Sequence, residues 1–265
     1  MTIEGPQAAA SVSVVIPVKD DADGLRRCLR ALALQSRTAD EIVVVDNGSR
    51  DDSVDVARSA GATVVRCEHP GIPAAAAAGY DAAASDLILR LDADCLPSAT
   101  WIAAMAAFAA RRPDAAVFAG VARFVDGPRW LRTPLAALYL GAYALVLTPT
   151  LGHLPLFGSN LGIRRDAWRS VSESVHRDDP ELHDDLDLSF HLGEHHRIRL
   201  VPGAAMGMSM RPFASATSFR RRLRRGMRTV LLHWPADFPP LRWARLARLR
   251  ARRLRSLRAP RGVIA

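Results

Sequence analysis

The chain has 265 residues, 49% hydrophobic and 24% charged, which suits one large domain or a domain with a small appendage and is long enough to bury a core without disulfide or metal staples. Its three cysteines, Cys28, Cys67 and Cys95, form no CxxC pair and read as small apolar residues of a reducing compartment; the opening MTIEGPQAAA lacks the basic and long apolar regions of a secretory leader. Net charge is +9, but residues 211–265 carry 16 arginines against one acid, Asp237, so a basic tail of +15 follows a body of −6. A bare basic tail suggests RNA, DNA or anionic lipid, and the body decides among them.

Residues 1–10 are expected to be disordered. Residues 11–17 (SVSVVIP) form an apolar run closed by proline, a buried strand, and Leu25, Cys28, Leu29 and Leu32 then recur at helical spacing. The run 41–46 (EIVVVD) is a second strand, 51–60 a short helix ending at Gly61, and 63–66 a third strand. Pro73 opens an alanine-rich helix over 73–84, followed by a strand at 87–91 (LILRL), a helix at 100–111 and a strand at 115–120. This alternation predicts an α/β fold with a mostly parallel sheet and helices on both faces. Residues 133–152 are uncharged and long enough to span a bilayer, but prolines 134 and 149, two glycines and two tyrosines favour a soluble or interfacial helix. A helix at 186–194 and a short strand at 197–202 end the body; arginine-dense helices are predicted over 218–232 and 241–257.

Three groups of residues could carry chemistry. Asp46, at the end of the second strand and followed by Asn47-Gly48-Ser49 and Asp51, stands where ligands bind in open α/β sheets, although Asp-Asn-Gly-Ser is also good turn chemistry. Asp92-Ala93-Asp94 follows the fourth strand directly, and two such carboxylates suit a hard divalent cation that also binds phosphate oxygens. The run His183-Asp184-Asp185-Leu186-Asp187 opens a helix; crowded carboxylates raise the pKa of at least one in a partly dry site, which makes a usable general base.

In their order, VVIPVKDDADGLRRCLRAL, EIVVVDNGSRDDS, LDAD, FGSNLGIRRDAW and HDDLDLSFHL resemble a family 2 glycosyltransferase of the GT-A fold, over residues 11–205. The resemblance implies inverting transfer of a sugar from a UDP-, GDP- or dTDP-sugar to a hydroxyl acceptor, assisted by Mg²⁺ or Mn²⁺. It implies a nucleotide half at 11–120 and an acceptor half at 121–210, with 211–265 as an extension. Asp46 matches the carboxylate used on the nucleotide base, and Pro17 and Lys19 the first nucleotide loop. Asp92 matches the first acid of the DxD motif and Asp94 the direct metal ligand. Gly158, Ser159 and Asn160 match the loop lining the sugar and acceptor pocket, with Asp184 beside it, and Asp185 matches the catalytic base.

Three departures accompany the match. Ala76 and Ala77 occupy the places of an Arg-Asn pair common in the family, so donor contacts there are absent or supplied elsewhere. No histidine stands in AMGMSMRP (205–212), where many members have a metal ligand, and the acid pair reads Asp184-Asp185 instead of Glu-Asp.

A dinucleotide oxidoreductase would need GxGxxG where this chain has PVKDDADG, and no P-loop is present. A nucleotidyltransferase would show a glycine-rich, arginine-containing loop after the first strand, also absent. In the tail, Trp243, Leu246, Leu249 and Leu254 fall near helical spacing among arginines, which favours an anionic membrane surface over nucleic acid. Arg225 or Arg228 could instead fold over the site and meet a donor diphosphate. The combined expectation is a cytoplasmic enzyme, peripheral on the inner membrane face, with a lipid-linked acceptor among the candidates. The competing reading is a degenerate GT-A binding module whose basic tail does the work. His176, His191, His195 and His196 lack zinc-like spacing to cysteines and read as surface or packing residues.

Overall fold

The computed structural model describes residues 10–210 and 215–258. The elements run β1 (Val12–Val18), α1 (Ala22–Ala33), β2 (Glu41–Asp46), α2 (Ser53–Ser59), β3 (Thr63–Arg66), α3 (Ile72–Ala82) and β4 (Leu87–Arg90). There follow β5 (Leu96–Pro97), α4 (Trp101–Arg111), β6 (Val117–Phe124), α5 (Arg132–Leu151), β7 (Leu161–Arg164) and α6 (Arg165–Arg169). The chain continues through α7 (Asp184–His195), β8 (Ile198–Met208), α8 (Ala216–His233) and α9 (Pro239–Arg258).

One eight-stranded sheet has the order β3-β2-β1-β4-β7-β6-β8-β5. The first four strands are parallel, as the alternation predicts. Beyond them β7 is antiparallel to both β4 and β6, and β5 is antiparallel to β8. The sheet is therefore mixed in its second half. Neither β5 nor β7 stands out as a strand in the sequence: β5 has two residues, and β7 (LGIR) carries a glycine and an arginine in four.

Strand periodicity divides the core between the two faces of the sheet. Val14, Ile16 and Val44 join Leu25, Cys28, Trp101 and Met105 on the α1 and α4 side. Val15, Val43 and Val45 join the alanines of α3, with Tyr80 and Trp168, on the other. The alanine run lets α3 lie close to the sheet: a Cβ on Gly79 would meet the side chains of Val15 and Val45. Ala76 and Ala77 are buried in this contact.

The arginine-rich extension is not a bare tail. Arg242 of α9 is fully buried and donates to the carbonyls of Leu151 (2.7 Å) and Phe190 (2.8 Å), so a cation caps the end of α5. Leu246 is buried beside Gly152, and the Trp243 indole donates to Pro149 O at 2.7 Å. The expected lipid-facing stripe of α9 therefore docks, through Trp243 and Leu246, on the end of α5; the Leu254 side chain lies outside the described residues. Helix α5 is long and apolar enough to cross a membrane. It buries Ala136, Leu147 and Leu151, packs against β6, α7 and α9, and leaves Leu138, Leu145 and Val146 exposed.

Candidate active site

The carboxyl ends of the parallel strands open into a cleft with two adjoining parts. The first, about 520 Å³, is lined by Pro17 and Lys19 after β1, Asn47 after β2, Ile72 and Ala75 of α3, Asp92 and Asp94 after β4, and Arg221 and Arg225 of α8. The second, about 460 Å³, shares Ile72, Asp92, Arg221 and Arg225 with it and continues to Gly158, Ser159, His183, Asp184, Asp185 and Arg222. Residues separated by more than 160 positions in sequence thus face one space.

Two expected lining residues sit behind the wall. Asp46 is buried, and its Oδ1 accepts from the Ser49 amide at 2.9 Å, closing the turn through Gly48 at φ 77°. Its neighbour Asn47 reaches the cleft edge, where its amide donates to Cys67 O (3.1 Å) and His69 O (2.7 Å) while its Oδ1 accepts from the Gly71 amide (2.9 Å). Asn160 is also fully buried. It accepts from the Trp101 indole (2.8 Å) and donates to Val121 O and Ala204 O (2.8 Å each), so its hydrogen-bonding groups brace α4, β6 and β8 instead of lining a sugar pocket. Ala75, one residue before the aligned pair, is the alanine of α3 that faces the cleft.

Arg90 joins the two acid groups. This last residue of β4 is 2% exposed; its NH2 lies 3.1 Å from Asp92 Oδ1 and its NH1 lies 2.7 Å from Asp184 Oδ2. Asp92 also accepts from the Ser159 hydroxyl through Oδ2. A Cβ on Gly158 would collide with the Arg90 guanidinium, so the glycine leaves Arg90 room to reach both acids. An arginine in an otherwise apolar, fully buried strand was the available signal for Arg90, since a buried charge needs partners.

Asp185 lies in the first turn of α7, where the helix dipole favours a carboxylate. Its Oδ2 accepts from the Gly158 amide at 2.8 Å, and Oδ1 is paired with His183 Nδ1. Burial alone would raise its pKa; the charge and hydrogen bond of His183, the Gly158 amide and Arg90 outweigh it and hold the carboxyl at about 2. Burial raises Asp184, Arg90 opposes, and repulsion from Asp185 adds to the rise. Burial also works against the charge of His183, yet Asp185 leaves its pKa raised. The two neighbouring acids are thus pushed apart.

Asp92, Asp94 and Cys95 place their ligand atoms within 4.8 Å of one another. Cys95 is buried, and that burial pushes its thiol well above the usual range, so it does not suit a hard cation. The two carboxylates do suit one: Mg²⁺ and Mn²⁺ take one or two protein oxygens and complete their shells with water and phosphate. The segment 205–210 at the end of β8 holds no histidine. Cations enter from α8 instead: Arg225 NH2 donates to Glu181 Oε1 at 3.1 Å and Arg222 NH1 to the Tyr139 hydroxyl at 3.1 Å. Arg228 turns away from the cleft and pairs with Asp179 at 2.8 Å. Arg221 and Arg222, like Asn47, Ile72 and Arg90, escape sequence reasoning because only the fold brings α8 over the strand ends.

A family model for "Glycosyl transferase family 2" matches residues 13–171. Glycosyltransferase AglE of Haloferax volcanii is 32% identical over 99 residues, which are 34% of this chain and 33% of that protein. The undecaprenyl-phosphate 4-deoxy-4-formamido-L-arabinose transferase of Pseudomonas syringae is 35% identical over 99 residues, 34% of this chain and 29% of that protein. The chain spans about a third of the length of these relatives. The mannosyltransferase PcManGT from Pyrobaculum calidifontis, solved with GDP-Man and Mn²⁺, superposes with a TM-score of 0.64 at 16% identity, covering 99% of this chain and 81% of that one, and so shares its fold. With the family model spanning most of the chain and the mixed α/β sheet shared with GT-A enzymes, the chain belongs to glycosyl transferase family 2.

Proposed function

We propose that the chain transfers a sugar from a nucleoside diphosphate donor to a hydroxyl acceptor with inversion at the anomeric carbon. The observation that carries this reading is the joining, through Arg90, of Asp92 on the donor side to Asp184 on the acceptor side of one cleft. The nucleotide lies against Pro17, Lys19 and Asn47, with Asp46 shaping the turn that presents Asn47. Asp94, supported by Asp92, would hold Mg²⁺ or Mn²⁺, which supplies Lewis-acid stabilisation of the diphosphate charge. Arg221 and Arg225 supply further positive charge to the same phosphates, replacing donor contacts that the alanines of α3 cannot make.

On the acceptor side, Asp185 is ionised and takes the hydroxyl proton as the oxygen attacks the anomeric carbon. The new carbon–oxygen bond forms as the bond to the diphosphate breaks, and the leaving group departs with that electron pair. One base and one displacement suffice, so no covalent sugar intermediate is needed.

A second acceptor, a lipid phosphate, is favoured by a separate observation: Arg221, Arg222 and Arg225 also line the acceptor part. A phosphate oxygen arrives without a proton and does not need Asp185 as a base. In either case the acceptor is proposed to be membrane-held, at the inner face. Phe219, Leu223, Met227 and Leu231 are exposed at four-residue intervals along one side of α8, among the exposed Arg220, Arg221 and Arg224. That composition suits an anionic lipid surface.

Calorimetric titration with UDP, GDP and dTDP, with and without Mn²⁺, tests the donor assignment. Metal-dependent binding of one nucleotide that disappears in Asp94→Ala is expected. Absence of nucleotide binding under all conditions would favour a degenerate scaffold.

A further inference from the structure

Behind the cleft, four side chains from three segments converge. Asp187 and His191 lie one turn apart on α7, His176 comes from the loop before it, and His233 is the last residue of α8. The ring nitrogens turn toward one carboxylate oxygen, Asp187 Oδ1: His176 Nδ1 at 2.7 Å, His233 Nε2 at 2.9 Å and His191 Nε2 at 3.7 Å. All four ligand atoms lie within 4.8 Å of one another. Tetrahedral zinc with bonds of about 2.0 Å holds its ligand atoms roughly 3.3 Å apart, so closing these atoms together by at most about 1.5 Å would seat it.

Hydrogen bonds from His176 and His233 account for part of this arrangement. One carboxylate oxygen serves three rings, and His191 Nε2 stands off from it at 3.7 Å, beyond ordinary hydrogen-bond length. The outer contacts, by contrast, are those of a metal site. His233 turns its other nitrogen, Nδ1, to Asp237 Oδ2 at 3.4 Å, a carboxylate behind a ligating imidazole. Asp237 is in turn held by Arg242 (2.8 Å) and Arg245, so the single acid of the extension is committed to this spot. The second oxygen of Asp187 accepts from the His176 amide at 2.9 Å, and the His176 ring is 40% exposed, which leaves an entry path.

We propose that His176, Asp187, His191 and His233 form a structural zinc site that fastens α8 to α7. It is separate from the Asp92/Asp94 group, uses nitrogen donors and leaves no position for substrate. Its consequence for the cleft rests on the donor reading above: fastening the end of α8 fixes Arg221 and Arg225 over the diphosphate.

The test uses the full chain carrying Asp94→Ala, so that the DxD acids do not confuse the count, stripped with EDTA and titrated with Co²⁺ and Zn²⁺. Expected are about one equivalent bound, an intense visible cobalt spectrum of tetrahedral type that Zn²⁺ bleaches, and a rise in melting temperature with Zn²⁺. Adding His191→Ala, or separately His233→Asn, should remove all three. In EDTA the His191→Ala protein should still melt cooperatively, which shows that it folds, and zinc should no longer raise its melting temperature. A parent that folds but gives no cobalt spectrum and no zinc-dependent rise in melting temperature would overturn the site. A spectrum that survives both histidine substitutions would overturn its location.

Discussion

Arg90 is the residue on which the geometry turns, and Gly158 is the reason it can be there. The guanidinium reaches Asp92 and Asp184 only because position 158 presents no side chain to it. Gly158→Ala is therefore expected to displace Arg90 and separate the two acids, lowering kcat by roughly 100-fold, because misplacement by about an ångström costs that much. Steady-state kinetics paired with a melting curve checks this, the curve showing that the variant still folds. Asp185 carries a matching expectation in pH. Its pKa is lowered to about 2, so its ionised, proton-accepting form dominates at every higher pH. Loss of this base is then expected only as pH falls toward that value, and a kcat profile should show no acidic limb near pH 5 from this group.

At the scale of elements, the parallel half of the sheet is legible because its strands are short apolar runs, mostly β-branched, that alternate with helical segments. The buried face of α1, through Leu25, Cys28, Leu29 and Leu32, is the one read from spacing. β5 and β7 were not legible: their pairing comes from tertiary contact, not from pattern. The DxD acids and the acids of α7 were legible as clusters. Asn160, a polar residue between pocket residues, looks in the sequence like a ligand contact, whereas the fold gives its hydrogen bonds to Trp101, Val121 and Ala204. The alanines of α3 leave donor contacts there absent or supplied elsewhere, and the fold adds the reason: Ala76 and Ala77 pack that helix against the sheet. On the proposed reading helix α8 brings positive charge to the cleft, and its arginines divide by direction. Arg225→Ala should raise the donor KM about tenfold, as expected for loss of a charge-assisted hydrogen bond, while Arg228→Ala, on the Asp179 side, should change it little.

For the whole molecule, charge asymmetry is a matter of placement. The 16 arginines of residues 211–265 do not act as one patch: Arg242 is buried as a cap, Arg221, Arg222 and Arg225 enter the cleft, and Arg220 and Arg224 stay exposed. The exposed apolar side of α8 beside those arginines is expected to hold the chain on anionic vesicles. Leu223→Asp with Met227→Asp should weaken vesicle sedimentation by at least about tenfold, and added salt should weaken the parent's binding. Insensitivity to both would remove the membrane from the account and leave the cleft unaffected.

The central claim is that one cleft unites a nucleotide site with a carboxylate base, and Asp185→Asn tests it most directly. Nucleotide affinity and donor turnover should be measured together, with a panel of hydroxyl acceptors and a polyprenyl phosphate in vesicles. The account predicts nucleotide binding close to that of the parent and a kcat lowered by about 10²–10⁴-fold with the hydroxyl acceptor. Unchanged turnover in Asp185→Asn would contradict the base assignment, and turnover only with the lipid phosphate would replace the hydroxyl acceptor by the phosphate.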